Sequence, residues 1–158
     1  MDVMQEMDHL LDFMSFSYTG QYVAKMHYIV KLPDGDTAQL VIDMKGKGPE
    51  GGIETSLTRG DTPPAAAEGA TCRVSLGFED FSHVFSGRIG ALGITRRVLS
   101  GAIYVHGFAY RTCQHCAASF DFSSGTWQAF YDTDLAKAKY QGARELYYGD
   151  AAAVAARA

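Results

Sequence analysis

Apolar residues at the start of the chain fall three and four apart, at Met4, Met7, Leu10, Leu11 and Met14, with Asp2, Gln5, Glu6, Asp8 and Asp12 on the other faces. That period predicts an amphipathic helix ending near Tyr18, Thr19 and Gly20. A stripe this rich in methionine serves either as ordinary core packing or as the wall of an irregular pocket, because the unbranched thioether adapts to its surroundings. From Tyr22 the period is two. Ala24, Met26, Tyr28, Val30 and Leu32 alternate with Val23, Lys25, His27, Ile29 and Lys31, the pattern of a half-buried strand. Pro33, Asp34, Gly35 and Asp36 predict a turn. Ala38, Leu40, Ile42 and Met44 then alternate with Gln39, Asp43 and Lys45 as the second strand of a hairpin. Residues 53–57 read as a third strand, and residues 59–68, with Pro63 and Pro64, as a surface loop. Ala70, Cys72, Val74 and Leu76 mark a fourth strand.

Past Gly77 the helical period returns. Phe78, Phe81, Val84 and Phe85 form an apolar stripe, Glu79, Asp80 and Ser82 occupy the opening turn, and Gly87 is placed to stop the helix. Residues 93–99 read as a short helix and residues 100–107 as a strand with Ile103 and Val105 inward. Residues 110–120 read as a helix with Tyr110, Cys113, Ala117 and Phe120 on one face. Residues 122–130, which include Trp127, read as a strand or loop, residues 135–148 as a helix, and the alanine-rich residues 151–156 as a fraying end. No internal repeat or domain-sized linker interrupts the series. Helix, several antiparallel strands, helices, strand and helix, in that order, predict an α+β fold.

Composition adds mainly exclusions. The 158 residues suffice for one domain with a real core, and 47% hydrophobic with 20% charged residues is ordinary globular usage. No apolar run approaches the ~20 residues of a membrane-spanning helix, so no integral membrane segment is expected. The first residues lack the basic start and apolar run of a secretion signal, which makes a cytoplasmic location the expectation. A net charge of −4, with Arg96 and Arg97 as the only adjacent basic pair, argues against nucleic acid as a partner. Three cysteines, Cys72, Cys113 and Cys116, do not make a secreted disulfide framework and are expected to be reduced. Without a single Asn, the sequence offers no N-glycosylation acceptor.

Few residues suggest chemistry. The glycine-rich residues 46–52 follow a strand, but no helix follows them, so they do not make a phosphate loop. Cys113, Gln114, His115 and Cys116 have the spacing of half a zinc site, which His9, His27, His83 or His106 would have to complete. A redox pair and two small residues packed on one helix face are the other readings. There is no Gly-x-Ser-x-Gly elbow and no His-Glu-x-x-His metal motif, so no catalytic residues and no cofactor are expected. His27 and Asp43 stand where they could meet across the hairpin, either as a functional pair or as an ordinary surface pair.

Four stretches carry a family likeness. Leu40-Val41-Ile42-Asp43-Met44-Lys45 with the glycines after it, Ala70-Thr71-Cys72-Arg73-Val74-Ser75-Leu76, Phe78-Glu79-Asp80-Phe81 with Phe85-Ser86-Gly87-Arg88-Ile89, and Gly101-Ala102-Ile103-Tyr104-Val105-His106-Gly107 succeed one another as in the sterol carrier protein type-two family. The chain resembles that family over roughly residues 5 to 120. It departs at Ala102 and Tyr104, where the family often has lysines, at Phe108, which replaces a common polar residue, and at Tyr110 to Cys116, which is not the usual final helix.

The resemblance implies a five-stranded, mainly antiparallel sheet covered by helices, with an apolar tunnel between sheet and helices. Residues 1–120 would form the lipid-binding domain, and residues 121–158 a C-terminal extension packing on it. The expected ligand is a fatty acid, a sterol or another hydrophobic molecule, bound or transferred without catalysis. Candidate lining residues are Phe81, Val84, Phe85, Ile89, Leu92, Ile94, Val98, Leu99, Ile103, Val105 and Phe120, each of which also suits plain core packing. Residues 87–93, where glycines bracket Ile89 and Leu92, would form the mouth, so that Leu92→Asp is expected to weaken uptake. The alternative is a homodimeric scaffold or accessory domain of a lipid or isoprenoid pathway with no free cavity. In that reading Trp127, Phe130, Tyr131, Tyr140, Tyr147 and Tyr148 pack across the tunnel or form the dimer interface.

Overall fold

The computed structural model describes residues 2–107 and 109–140. Helix α1 (Val3–Ser17) opens with a reciprocal cap: the Asp2 carboxylate accepts the Gln5 N–H at 2.9 Å, and the Gln5 side chain accepts the Asp2 N–H at 3.0 Å. Its buried face comprises Met7, Leu10, Leu11 and Met14, as the spacing predicts, together with His9, Phe13 and Ser17. Strands β1 (Val23–Lys31), β2 (Thr37–Lys45) and β3 (Ile53–Arg59) form an antiparallel meander. Its first turn is held by Arg59, which reaches the carboxylates of Asp34 and Asp36.

A loop with a short 3-10 turn (Ala65–Ala67) leads to β4 (Cys72–Gly77), which lies parallel to β1. Helices α2 (Phe78–Phe85) and α3 (Ala91–Leu99) follow, then β5 (Ile103–Val105), antiparallel to β4. The sheet order is β3-β2-β1-β4-β5, so one parallel pair sits among three antiparallel ones. The fold is α+β, with a five-stranded mixed sheet. Helix α4 (Tyr110–Ala117), α5 (Ser124–Tyr131) and α6 (Asp134–Lys139) complete the described chain.

One face of the sheet, carrying Met26, Tyr28, Val30, Leu40, Ile42, Val74, Leu76 and Ile103, belongs to the hydrophobic core. Period two sends the intervening side chains to the other face. That face is partly covered as well: His27, Gln39 and Val41 are buried, because residues 60–70 fold back over it. The expected contact of His27 with Asp43 does not form. The register sets Lys25 opposite Asp43 and His27 opposite Val41, and His27 bonds Gln39 instead, Nε2 to Oε1 at 2.7 Å.

Residues 122–130 are not a strand or loop; they contribute most of helix α5. Ser123 caps it by accepting the Thr126 N–H, and Trp127, Phe130 and Tyr131, three and four apart, share its buried face. The Trp127 ring stacks on Phe13 of α1 with centroids 3.5 Å apart, and its Nε1–H donates to the Ser86 carbonyl at 3.1 Å. Helix α6 covers the first part of the helix expected over residues 135–148 and is capped at Tyr140, and residues 141–148 lie outside the described residues. Its C-cap Tyr140 donates to the Asp12 carboxylate, which also accepts from Lys139 at 2.9 Å.

Candidate functional site: an apolar cavity between sheet and helices

A cavity of about 320 Å³ lies between the core face of the sheet and the helices. Its floor is Tyr28 of β1, Val74 and Leu76 of β4, and Ile103 and Val105 of β5. Val84 and Phe85 of α2 form one wall, with Ile89 just after that helix. Ile94 and Val98 of α3 form a second wall, and Tyr110, Cys113 and Ala117 of α4 a third, with Phe122 beyond. The cavity meets solvent where Gly90 and Ala91, at the start of α3, and Gln114 and Ala118, on and after α4, border it. The Thr95 hydroxyl and the Tyr110 hydroxyl, 3.1 Å apart, tie α3 to α4.

The floor exists because alternate residues of three adjacent strands point the same way, and the walls because α2 and α3 are amphipathic. The turn between these two helices depends on Gly87. Its φ of +80° is left-handed, and a Cβ there would lie 2.8 Å from Cβ of Phe122. The helix end is closed by the Arg88 N–H, which donates to the His83 carbonyl at 3.0 Å.

Seven of the sequence-predicted residues border this cavity: Val84, Phe85, Ile89, Ile94, Val98, Ile103 and Val105. Four do not. Phe81 is wholly buried in the core against Tyr28 and Phe85. Phe120 is buried beside Tyr18, with which it forms an isolated bridge. Leu92 and Leu99 are 67% and 82% exposed on the outer face of α3. Helical geometry explains this last pair: Ile94 and Val98, four apart, share the inner face, whereas Leu92 and Leu99, seven apart, share another. Tyr28, Val74 and Leu76 show the same strand alternation as the lining residues and were legible by it. Tyr110, Cys113 and Ala117 were legible as one helix face, though not as a cavity wall. Gln114 and Phe122 had no comparable signal.

The expectation of reduced cysteines is overturned for two of the three. Cys72 of β4 and Cys113 of α4 form a disulfide with Cα atoms 6.3 Å apart, which pins the α4 wall to the floor. They lie 41 positions apart, so no local spacing announces the pairing. Cys116 is free and buried, and burial pushes its thiol up to about 11, which keeps it protonated and a poor nucleophile. Among the described residues no group of three or more His, Cys, Asp or Glu is placed to hold a metal ion. No described helix is long and apolar enough to cross a membrane.

Polar groups at the cavity are few. Burial, with a smaller contribution from Cys116, raises the Tyr28 phenol far above its ordinary range, so it stays neutral. Its hydroxyl makes no hydrogen bond among the described residues. Four of the tail aromatics expected across the tunnel or at a dimer interface are packed elsewhere. Trp127, Phe130, Tyr131 and Tyr140 are buried against α1, and Tyr147 and Tyr148 fall outside the described residues.

No family model matches the chain, and no curated protein matches it. Solved structures similar to it include sterol carrier protein 2-like 2 from Aedes aegypti, at 13% identity and a TM-score of 0.46, over 74% of this chain and 98% of that one. A conserved hypothetical protein from Thermus thermophilus aligns at 12% identity and a TM-score of 0.36, over 96% of this chain and 82% of that one. The chain is similar also to the apo form of sterol carrier protein 2 from Yarrowia lipolytica, at 19% identity and a TM-score of 0.39, over 63% of this chain and 71% of that one.

Proposed function

We propose that the chain binds a hydrophobic small molecule in the cavity, best suited to a single acyl chain such as a fatty acid, and acts on it as a carrier or accessory module rather than a catalyst. The observation that carries this reading is the lining itself, apolar on three walls and the floor, with solvent at one rim. Transfer of a chain from water to such a site is worth about 0.8 kcal/mol per buried CH₂ before ordering costs. A volume of about 320 Å³ lies at the low end of ligand cavities, which favours one slim chain over a bulkier ring system. In this reading the Tyr28 hydroxyl and the rim residue Gln114 are the groups available to a polar head.

The test is native mass spectrometry of gently purified protein, paired with lipid extraction and thermal shift on added fatty acid. Near-stoichiometric acyl chains, or a clear rise in melting temperature, are expected. Ile94→Asp, which sets a charge on the inner wall, is expected to lower occupancy at least roughly tenfold, on the scale of burying an unpaired polar group. Leu92→Asp puts the same charge on the outer face of α3 and is expected to leave occupancy unchanged. An empty protein that gains no stability from any chain length, or a folded Ile94→Asp variant that loads like the parent, would end this reading.

A further inference from the structure

The face of the sheet turned away from the cavity carries a polar cleft. His27 of β1 and Arg73 of β4 are register partners in the parallel pair, so both side chains leave the same face. The His106 N–H donates to the Arg73 carbonyl at 2.9 Å, one step past the Val74–Val105 pair, which places His106 beside Arg73 on that face. Two imidazoles and a guanidinium thus stand in one row across three strands. They line a cleft of about 590 Å³, roofed by Pro63, Pro64 and Ala67.

The hydrogen bonds leave these groups available. The Gln39 amide N–H donates to the Gly60 carbonyl at 3.2 Å, so its Oε1 accepts from His27 Nε2–H. His27 Nδ1 therefore remains. His106 Nε2 is engaged with the Ser75 hydroxyl at 2.8 Å, which again leaves Nδ1. Arg73 is exposed and makes no ion pair among the described residues. Lys25, two residues before His27 on the strand, spends its ammonium on the backbone carbonyl of Glu68 at 3.1 Å rather than on a carboxylate. Among the described lining residues Glu68 is the one acidic group, against the cationic Arg73, the neighbouring Lys25 and the two histidines. This crowding of positive charge shows at His106, whose pKa is lowered by burial, by Arg73 and by His27.

We propose that this cleft binds the phosphate group of a small phosphorylated molecule, with the Arg73 guanidinium forking onto two phosphate oxygens and Nδ1 of His27 and His106 donating to the others. A guanidinium between two imidazoles matches a tetrahedral dianion, and the apolar roof of Pro63, Pro64 and Ala67 leaves room for the organic part of the molecule. Because Nε2–H of His27 is given to Gln39, its Nδ1 donates only in the imidazolium form, which an oxyanion favours, and a bound oxyanion opposes the downward shift at His106. The site is separate from the cavity, and it does not rest on the lipid reading.

The experiment is a titration of the full chain with inorganic phosphate at constant ionic strength, read by NMR of the histidine rings. Saturable ring shifts of His27 and His106 are expected, with the lowered pKa of His106 moved upward, while His83 and His115, which do not line the cleft, stay put. Arg73→Gln is expected to weaken the response at least tenfold, and Arg73→Lys, which keeps the charge but loses the fork, to fall between. If Arg73→Gln proves poorly folded, the lysine variant carries the comparison alone. No saturable shift in the parent, or the same shift in folded Arg73→Gln or Arg73→Lys, overturns the proposal.

Discussion

His9 shows how far one residue can be set apart by its packing. It lies wholly buried on α1 among Trp127, Phe130, Tyr131 and Tyr140, stacked on the last with centroids 4.2 Å apart, and its Nε2 is 3.0 Å from the Tyr131 hydroxyl. Burial pushes its pKa down from 6.5 to about 4, against the weaker upward pull of Asp12. The unfolded chain therefore takes up this proton first as the pH falls. The stability associated with neutral His9 is complete above pH 6.5 and declines as the pH drops from 6.5 towards about 4. A shift of this size corresponds to at most ~3 kcal/mol. Urea unfolding at pH 7 and at about pH 5 should show the loss, and His9→Phe should flatten it in that interval, where most carboxylates are still ionised. Equal losses in parent and variant would mean that His9 is not the acid-sensitive group. Nothing in the sequence near His9 forecasts this: its position on the helix is plain, but its aromatic neighbours come from residues over a hundred positions away.

At the scale of elements, legibility follows the range of the forces involved. The strands at 23–31 and 37–45 were readable because one sheet face is dry, and period two records that locally. The burial of His27 on the other face was not, since its cover is a loop more than thirty residues downstream. Helix α5 hid behind Gly125, Thr126 and three aromatics, types that favour strands or turns when read alone; its helical form goes with the Ser123 cap and with the burial of Trp127, Phe130 and Tyr131 against α1. The α3 wall was half legible, because its apolar content was visible but the facing of Leu92 and Leu99 is decided by where α4 and β5 lie. The stop of α2 was legible in full, as Gly87. Gly87→Ala has to force a left-handed φ on a residue with a Cβ and also press that Cβ into Phe122. A loss of about 1–3 kcal/mol is expected from the backbone alone, measurable as a lower urea midpoint with an unchanged slope. A variant as stable as the parent would show that the turn between α2 and α3 relaxes freely.

Over the whole molecule, the Cys72–Cys113 bridge closes a long loop that contains β4, α2, α3 and β5, and so holds three sides of the cavity together. Cross-linking a loop of this length commonly contributes about 2–4 kcal/mol, mainly by restricting the unfolded chain. Reduction with a dithiol is expected to lower the melting temperature by several degrees, and Cys72→Ser with Cys113→Ser to reproduce the effect without reductant. If neither changes the melting temperature, the bridge is not part of the stable fold.

The parallel ladder between β1 and β4 also sets an order in time. Met26 is paired with Cys72 and Lys31 with Gly77, so the central strand finds one neighbour across a tight turn and the other only after some forty further residues have been made. The meander of β1, β2 and β3 ends at Arg59, while helices α2 and α3, which cover its apolar side, begin only at Phe78. Of the described elements, α1 alone precedes them as shelter for Met26, Leu40 and Ile42. A partly folded chain that has formed the meander but not yet docked β4 and the helices displays an open β1 edge and a bare apolar surface, the combination that makes incomplete β structures stick to one another.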